Sequence, residues 1–354
     1  YSSEEFNAED FYPDDPVVIT ISHLGYIKRT ALTEFREQSR GGVGSKGAHT
    51  RDEDFTEYIY PATMHNTLLF FTQKGRCYWL KCYEIPEGAK NSKGRAIQNL
   101  LNIEADDAIN AVLRIKNLND KEFVDSHYVV FATKNGIIKK TCLEAYSRPR
   151  ANGVNAINIL EGDQVVGVRL TNGHNELLLA NRNGRAIRFN EEELRPMGRV
   201  STGVRGMRLD GGDDEVVGLV CVNDPQTETI MVVSENGYGK RSDVDDYRKT
   251  ARGAKGVKTI SITEKTGRLV AIKVVTDEND LMIINKSGIL IRMKVADVRV
   301  MGRATQGVRL INLTKKNDVI ASVCKVMTET EEEPETIVDP DESPNVENTE
   351  NTEN

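Results

Sequence analysis

The sequence has 354 residues, of which 38% are hydrophobic and 29% charged, a balance typical of a soluble globular protein. It has no run of about 18 apolar residues and therefore no membrane-spanning helix. From its polar, acidic start at Tyr1 we expect no signal peptide, and the lack of an initial Met leads us to expect a fragment of a longer chain.

The five cysteines are scattered, and no C-x-x-C pair or Cys/His cluster has the spacing of a zinc site. We therefore expect reduced cysteines in a cytoplasmic protein and no metal site. The sequence shows no Asp/Glu–His constellation for catalysis either. We predict no catalytic residue and no cofactor in this chain.

The net charge of −7 conceals a basic body between two acidic ends. Residues 1–16 hold six acids and residues 328–354 hold eleven, and neither segment has a basic residue. Residues 17–327 therefore carry 47 basic and 37 acidic side chains, a net charge of +10. This asymmetry indicates a body that binds a polyanion. We expect residues 1–16 to be a linker and residues 328–354 to be a disordered tail.

A repeat of about fifty residues runs along the body. Each copy begins with a β-branched or aromatic run, turns at a glycine and continues as a second strand-like run, which is the pattern of a β-hairpin. The copies begin VVITISHLGYIKR, LLFFTQKGRCYWL, YVVFATKNGIIKK, LLLANRNGRAIRF, IMVVSENGYGKRS and LMIINKSGILIRM. The turn glycines are Gly25, Gly75, Gly136, Gly184, Gly237 and Gly288.

A second glycine follows the turn glycine by 19 residues in five copies and by 17 in the third. These second glycines are Gly44, Gly94, Gly153, Gly203, Gly256 and Gly307. A further apolar stretch completes about four strands per copy. We therefore predict an all-β fold, a six-bladed propeller-like ring of four-stranded blades over residues 17–327, with an open β-solenoid as the alternative.

Basic residues recur at two positions of the repeat, and we call these sets the first row and the second row. The first row lies four residues after the turn glycine and comprises Arg29, Trp79, Lys140, Arg188, Arg241 and Arg292. The second row lies four residues before the second glycine and comprises Arg40, Lys90, Pro149, Arg199, Arg252 and Arg303, with Arg148 and Arg150 flanking Pro149. Further cations nearby are Lys28, Lys46, Arg51, Arg76, Lys139, Arg185, Lys240, Lys255, Lys258 and Arg309.

Equivalent positions of a ring lie on equivalent faces, so both rows are predicted to form a continuous basic belt. A merely solvated face is the alternative, but it would carry charges of both signs. A Lys/Arg belt binds phosphates, and each neutralised phosphate releases counterions. With few aromatic residues near the belt and no recognition helix, the pattern favours duplex DNA bound without base specificity.

A glycine-rich segment follows in the first copy: Gln38, Ser39, Arg40, Gly41, Gly42, Val43, Gly44 and, beyond it, Lys46. It contains the G-x-G-x-x-G spacing of a dinucleotide site but lacks the strand and helix that such a site needs. We interpret the segment as a loop that approaches a DNA backbone closely, because glycine places no side chain in the way.

At this segment the sequence resembles the C-terminal domain of the DNA gyrase A subunit, a six-bladed β-pinwheel. The resemblance covers about residues 10–327. It rests on GYIKRTALTEF, the QSRGGVG box, LLFFTQKGRCYWLKCYEIPE, SKGRAIQNLL and the later G-x-(I/L)-x-(K/R) repeats. The family's box reads Gln-Arg-Arg-Gly-Gly-Lys-Gly, so Ser39 and Val43 stand where the family has basic residues.

The resemblance implies that the domain wraps duplex DNA in a positive, right-handed sense and so allows gyrase to introduce negative supercoils. It also implies partners: the N-terminal region of the gyrase A subunit, which carries the catalytic tyrosine, and the gyrase B subunit in an A2B2 heterotetramer. ATP and Mg²⁺ would act elsewhere in that complex, in the bacterial cytoplasm at the chromosome. The alternatives are the corresponding domain of topoisomerase IV and a propeller that scaffolds proteins.

Overall fold

The computed structural model describes residues 8–33, 54–89, 91–287, 290–313 and 317–327. Within these residues the β-strands form six antiparallel sheets, which are the six blades of a propeller. The all-β, six-bladed prediction is confirmed. The glycine-rich box, Lys90 and the acidic tail lie outside the described residues.

The strands of each blade are ordered from the centre of the ring outward. Blade 1 comprises β3 (Thr56–Thr63), β1 (Pro16–Ser22), β2 (Tyr26–Ala31) and β6 (Arg95–Ala96). Blade 2 comprises β7 (Ile109–Ile115), β4 (Thr67–Thr72), β5 (Arg76–Lys81) and β10 (Val154–Asn155). Blade 3 comprises β11 (Val165–Thr171), β8 (Tyr128–Thr133), β9 (Ile137–Cys142) and β14 (Val204–Arg205).

The remaining blades repeat this order. Blade 4 comprises β15 (Val216–Val222), β12 (Glu176–Asn181), β13 (Arg185–Asn190) and β18 (Val257–Lys258). Blade 5 comprises β19 (Leu269–Val275), β16 (Thr229–Ser234), β17 (Tyr238–Asp243) and β22 (Val308–Arg309). Blade 6 shows three strands within the described residues, β23 (Ile320–Met327), β20 (Asn279–Asn285) and β21 (Leu290–Lys294).

Short helices connect the strands. An α-helix, α1 (Lys121–Ser126), precedes β8, and its N-terminus is capped by the side chain of Asp120. The 3-10 helices are Ala8–Phe11, Cys82–Glu84, Ile97–Asn99, Leu143–Tyr146, Glu191–Glu193, Val244–Asp246 and Val295–Asp297. Among the described residues, no helix is long and apolar enough to cross a membrane.

The outermost strand of each complete blade comes from the next copy of the sequence repeat. For example, β10 belongs to the third copy but pairs with β5 of the second, where Val154 faces Cys77. The second glycine of a copy allows its outermost strand to pair with the preceding blade. Gly203, directly before β14, has a φ of +107°, and a Cβ there would lie 2.5 Å from the carbonyl oxygen of Ile138 in β9, the strand with which β14 pairs. Only glycine fits such an approach.

The ring is closed at its centre, which excludes the open solenoid. The innermost strands pack against their neighbours, and β23 of the last blade packs against β3 of the first. The apolar core is accordingly divided into layers between consecutive blades. One layer joins Phe71 of blade 2 to Phe131 and Tyr146 on the blade 3 side, with edge-to-face ring contacts.

Candidate nucleic-acid interface

The first row lies at the middle of the second hairpin strand of each blade and is largely buried. Each of its residues pairs across the hairpin with a residue of the preceding strand, as Arg188 does with Leu178. The side chain then extends to the 3-10 helix or loop of the next copy. Arg188 donates to the carbonyls of Val244 and Tyr247 at 3.0 and 2.9 Å and, through Nε, to Glu176 at 2.7 Å.

Other first-row side chains make the same kind of contact. Lys140 Nζ lies 3.2 Å from Oε1 of Glu191, and both side chains are almost fully buried, 5% and 0% exposed. Trp79, the apolar member, donates from Nε1 to the carbonyl of Tyr146 at 2.9 Å. Arg241 Nη1 lies 2.6 Å from Oδ1 of Asp277. The first row therefore joins consecutive blades.

In three copies the residue three positions after the turn glycine is a lysine, and it is also buried: Lys28, Lys139 and Lys240. Lys28 donates to the carbonyls of Ala89 and Ser92, and Lys240 donates to those of Gly302 and Thr305. Burial, together with the nearby Arg199, lowers the pKa of Lys139 to about 7. Burial, with Arg303 nearby, lowers the pKa of Lys240 to about 8.

The prediction of a continuous solvent-facing belt is therefore wrong for these positions. Buried ammonium and guanidinium groups whose donors already bind carbonyls and carboxylates cannot contact a phosphate. This correction applies to Lys28, Lys139, Lys140, Arg188 and Arg241. Arg29 and Arg292 are less enclosed, with side chains 15% and 34% exposed, but each faces an acid of its own, Glu87 and Asp280.

Three described members of the second row join the outermost strands of consecutive blades. The guanidinium groups of Arg199, Arg252 and Arg303 each donate to the carbonyl of the second residue of the outermost strand in the preceding blade. Those acceptors are Asn155, Arg205 and Lys258. All three arginines remain half-buried, and a guanidinium has five donors, so each retains some for a ligand.

Three other predicted site residues also lie at the perimeter. Arg76 is half-buried and donates to Asn155 Oδ1 at 2.9 Å and to the carbonyl of Asn152 at 2.6 Å. Arg148, 74% exposed, pairs with Glu144 at 2.8 Å. Arg150 beside it is exposed.

The outermost strands themselves carry further cations, which we call the rim row: Arg95, Arg205, Lys258 and Arg309. Arg205, Lys258 and Arg309 lie two residues after the second glycine of their copy, and Arg95 lies one residue after it. Each of these residues is exposed, and each lies in a different one of the five outermost strands that the structure describes. The fifth of these strands, β10, has Asn155 instead. The sequence interpretation counted Lys258 and Arg309 only as additional charge and missed Arg95 and Arg205. The sequence does contain a pattern that could have found most of this row. In four of the six copies the residue two positions after the second glycine is basic, namely Lys46, Arg205, Lys258 and Arg309.

The perimeter is therefore a curved edge with exposed cations in successive blades and half-buried arginines between them. Such an arrangement suits a polyanion that follows the edge.

Comparison with known proteins identifies this architecture. The model of the family described as "DNA gyrase C-terminal domain, beta-propeller" matches residues 16–62, 66–116, 127–172, 175–223, 228–276 and 279–324. The chain belongs to this DNA gyrase C-terminal domain family. Its six matched segments correspond to the six copies of the repeat, and the expected resemblance is confirmed.

Sequence relatives agree with the family assignment. The chain is 44% identical over 332 residues to the DNA gyrase A subunit of Staphylococcus aureus strain MRSA252, covering 94% of this chain and 37% of that protein. It is also 44% identical over 330 residues to the same protein of strain NCTC 8325, covering 93% and 36%. The chain thus spans little more than a third of the length of these relatives.

Two solved structures share the fold. The C-terminal domain of DNA topoisomerase IV superposes with a TM-score of 0.76 at 28% identity, covering 89% of this chain and 94% of that one. The DNA gyrase A C-terminal domain superposes with a TM-score of 0.64 at 24% identity, covering 88% and 100%. The ring is therefore common to both kinds of topoisomerase domain.

Proposed function

We propose that this domain binds duplex DNA along its perimeter without base specificity and bends it around the ring. The observation that carries the proposal is the rim row, an exposed cation in four of the five described outermost strands. Arg199, Arg252 and Arg303, the described arginines of the second row, extend the same edge. The box of residues 38–44 and Lys46, together with Lys90, Arg148 and Arg150, would add contacts, which is a prediction from the sequence.

The energetics require many contacts rather than a few strong ones. Bending 20–30 base pairs smoothly by 40–90° costs on the order of 1–6 kcal/mol. Each phosphate neutralised by a Lys or Arg releases counterions and contributes a slope of about −0.9 to log K against log salt. Cations repeated around a closed edge supply such contacts along the whole bend.

Within a complete enzyme, the bend would have a topological consequence. We propose that the wrap is positive and right-handed and that it allows gyrase to introduce negative supercoils. The domain would work in an assembly with the N-terminal region of the A subunit, joined by the B subunit, in the bacterial cytoplasm. ATP and Mg²⁺ would act in those other parts. The support is the 44% identity with A subunits of DNA gyrase.

A topoisomerase IV-type domain is the second candidate, because the solved topoisomerase IV domain superposes with a TM-score of 0.76. Such a domain would bind DNA without a chiral wrap of the gyrase kind. Binding alone does not separate the two candidates, so the measurement must report topology.

Ligation of a nicked plasmid in the presence of the chain makes that measurement. At low salt and saturating protein, we expect the closed circles, once freed of protein, to show a positive shift in linking number that grows with the protein-to-DNA ratio. Unchanged linking number despite bound protein would reject the gyrase-type wrap and favour the topoisomerase IV type. Loss of binding at low salt would reject both and leave the protein-scaffolding propeller.

A further inference from the structure

Three side chains meet at the seam where blade 6 closes onto blade 1. His23 follows β1 at the first hairpin turn, Glu57 lies in β3 and Cys324 lies in β23. His23 and Cys324 are 301 positions apart, yet Nδ1 of the histidine is 3.8 Å from Sγ of the cysteine. The same Nδ1 is 3.0 Å from Oε2 of Glu57. The three ligand atoms all lie within 4.8 Å of one another.

The surroundings hold these groups in place. The imidazole of His23 stacks on the ring of Phe55 with centroids 4.9 Å apart. The backbone N–H of His23 donates to the carbonyl of Phe55 at 2.8 Å. Phe55 in turn packs against the buried Met282, Cys324 and Val326. Cys324 is 4% exposed, so its thiol is held in the protein interior rather than in solvent.

A path for an ion reaches the cluster from outside. The side chains of His23 and Glu57 are 27% and 20% exposed. Both line a cleft of about 390 Å³ between blades 1 and 2. The cluster therefore has a buried sulfur ligand at the back and a solvent-connected side at the front, which leaves room for a water molecule.

We propose that His23, Glu57 and Cys324 bind a zinc ion that fastens blade 6 to blade 1, with water as the fourth ligand. Thiolate, imidazole and carboxylate are the ligands that zinc takes in proteins, in tetrahedral geometry. Bond lengths of about 2.0–2.3 Å place such ligand atoms about 3.4–3.6 Å apart. The observed 3.0 and 3.8 Å lie close to that spacing.

Binding is a simple exchange of a metal ion for protons. The thiol of Cys324 and the Nδ1–H of His23, which faces the Glu57 carboxylate, both release their protons to solvent. The cysteine then binds as thiolate and the imidazole binds through Nδ1, with its remaining proton on Nε2. The ion binds only when the two ends of the ring meet, because its ligands come from the first and the last blade. It therefore stabilises the closed ring.

Cobalt(II) is the direct probe, since it replaces zinc and reports its ligands spectroscopically. We expect the metal-free 354-residue chain to bind one Co²⁺ with a thiolate-to-metal charge-transfer band and the strong visible absorption of tetrahedral cobalt. Zn²⁺ should displace it. Cys324→Ser should abolish the charge-transfer band and weaken zinc binding more than about tenfold. Cys221→Ser is the matched control, because Cys221 is another free cysteine on an innermost strand and should change neither.

A second measurement separates metal binding from loss of folding. Zn²⁺ should raise the Tm of the unaltered chain and of Cys221→Ser, and should leave that of Glu57→Gln and Cys324→Ser almost unchanged. Circular dichroism without metal checks that all four are folded. The proposal is overturned if the unaltered chain gives no charge-transfer band, if the band survives in Cys324→Ser, or if zinc raises the Tm of all four equally.

Discussion

The first row and the rim row both contain cations that recur from copy to copy, yet these cations have opposite surroundings. Lys140 and Arg188 of the first row are buried and joined to carboxylates and carbonyls of the neighbouring structure. Arg205 and Lys258 of the rim row are exposed. A periodic cation therefore shows that a position is equivalent from blade to blade, but not whether it faces solvent.

The reason for the difference is the place of each strand in its sheet. In blades 1 to 5 the first row sits on a strand with a neighbour on both sides, and the 3-10 helix or loop of the next copy covers its side chains. A rim-row residue sits on a two-residue strand with a neighbour on one side only. Burial makes the first-row cations structural, while exposure leaves the rim-row cations available to a polyanion.

The largest expected effect comes from breaking a buried first-row pair. Lys140→Ala leaves the carboxylate of Glu191 buried without its counter-charge, although Thr171 Oγ1 and the Asn175 N–H still donate to it. Removing one partner of a buried pair typically costs about 3–5 kcal/mol of stability. We expect the free energy of unfolding, measured by denaturant titration, to fall by this amount.

Two controls make that result specific. Arg205→Ala on the rim should change the free energy of unfolding by less than about 0.5 kcal/mol. The double variant Lys140→Met with Glu191→Leu should recover part of the loss, because an apolar pair leaves no charge behind. A Lys140→Ala protein as stable as the Arg205→Ala protein would contradict a structural role for the first row.

The next effect is on DNA affinity and concerns the rim row. Replacing Arg205, Lys258 and Arg309 together by alanine should reduce the slope of log K against log salt by about 0.9 for each phosphate that is no longer neutralised. Binding is measured by fluorescence anisotropy with a duplex at several salt concentrations. Lys121→Ala on α1, an exposed lysine outside the outermost strands, should leave the slope unchanged. Equal slopes for the triple variant and this control would remove the rim row from the DNA path.

The sequence predicted the ring well because six copies of a glycine-marked hairpin leave few alternatives. It could not predict the exchange of the outermost strand, since β10 pairs with β5 across about eighty positions and no local pattern marks that partner. Burial of the first row was equally hidden, because Lys140 acquires Glu191 only when two copies pack. His23 and Cys324 lie at opposite ends of the sequence, so spacing rules for metal ligands could not find them.

The last expected effect is a dependence of stability on pH to which the buried Lys139 and Lys240 contribute. In the unfolded chain Lys139 and Lys240 return to their ordinary pKa of 10.5, whereas in the folded ring the values are about 7 and about 8. At these two sites the unfolded chain therefore binds more protons between about pH 7 and pH 10, so their contribution to the free energy of unfolding rises as the pH rises. One fully shifted lysine gives a slope of at most about 1.4 kcal/mol per pH unit. The carbonyls that accept from these ammonium groups favour the charged form and reduce that slope. Denaturant titrations at pH 7 and pH 9 give the change in the free energy of unfolding between the two pH values. This change should be less positive in Lys139→Met with Lys240→Met than in the unaltered chain, whereas Lys258→Met on the rim should match the unaltered chain. The same change in the double variant as in the unaltered chain would assign the titration to other groups.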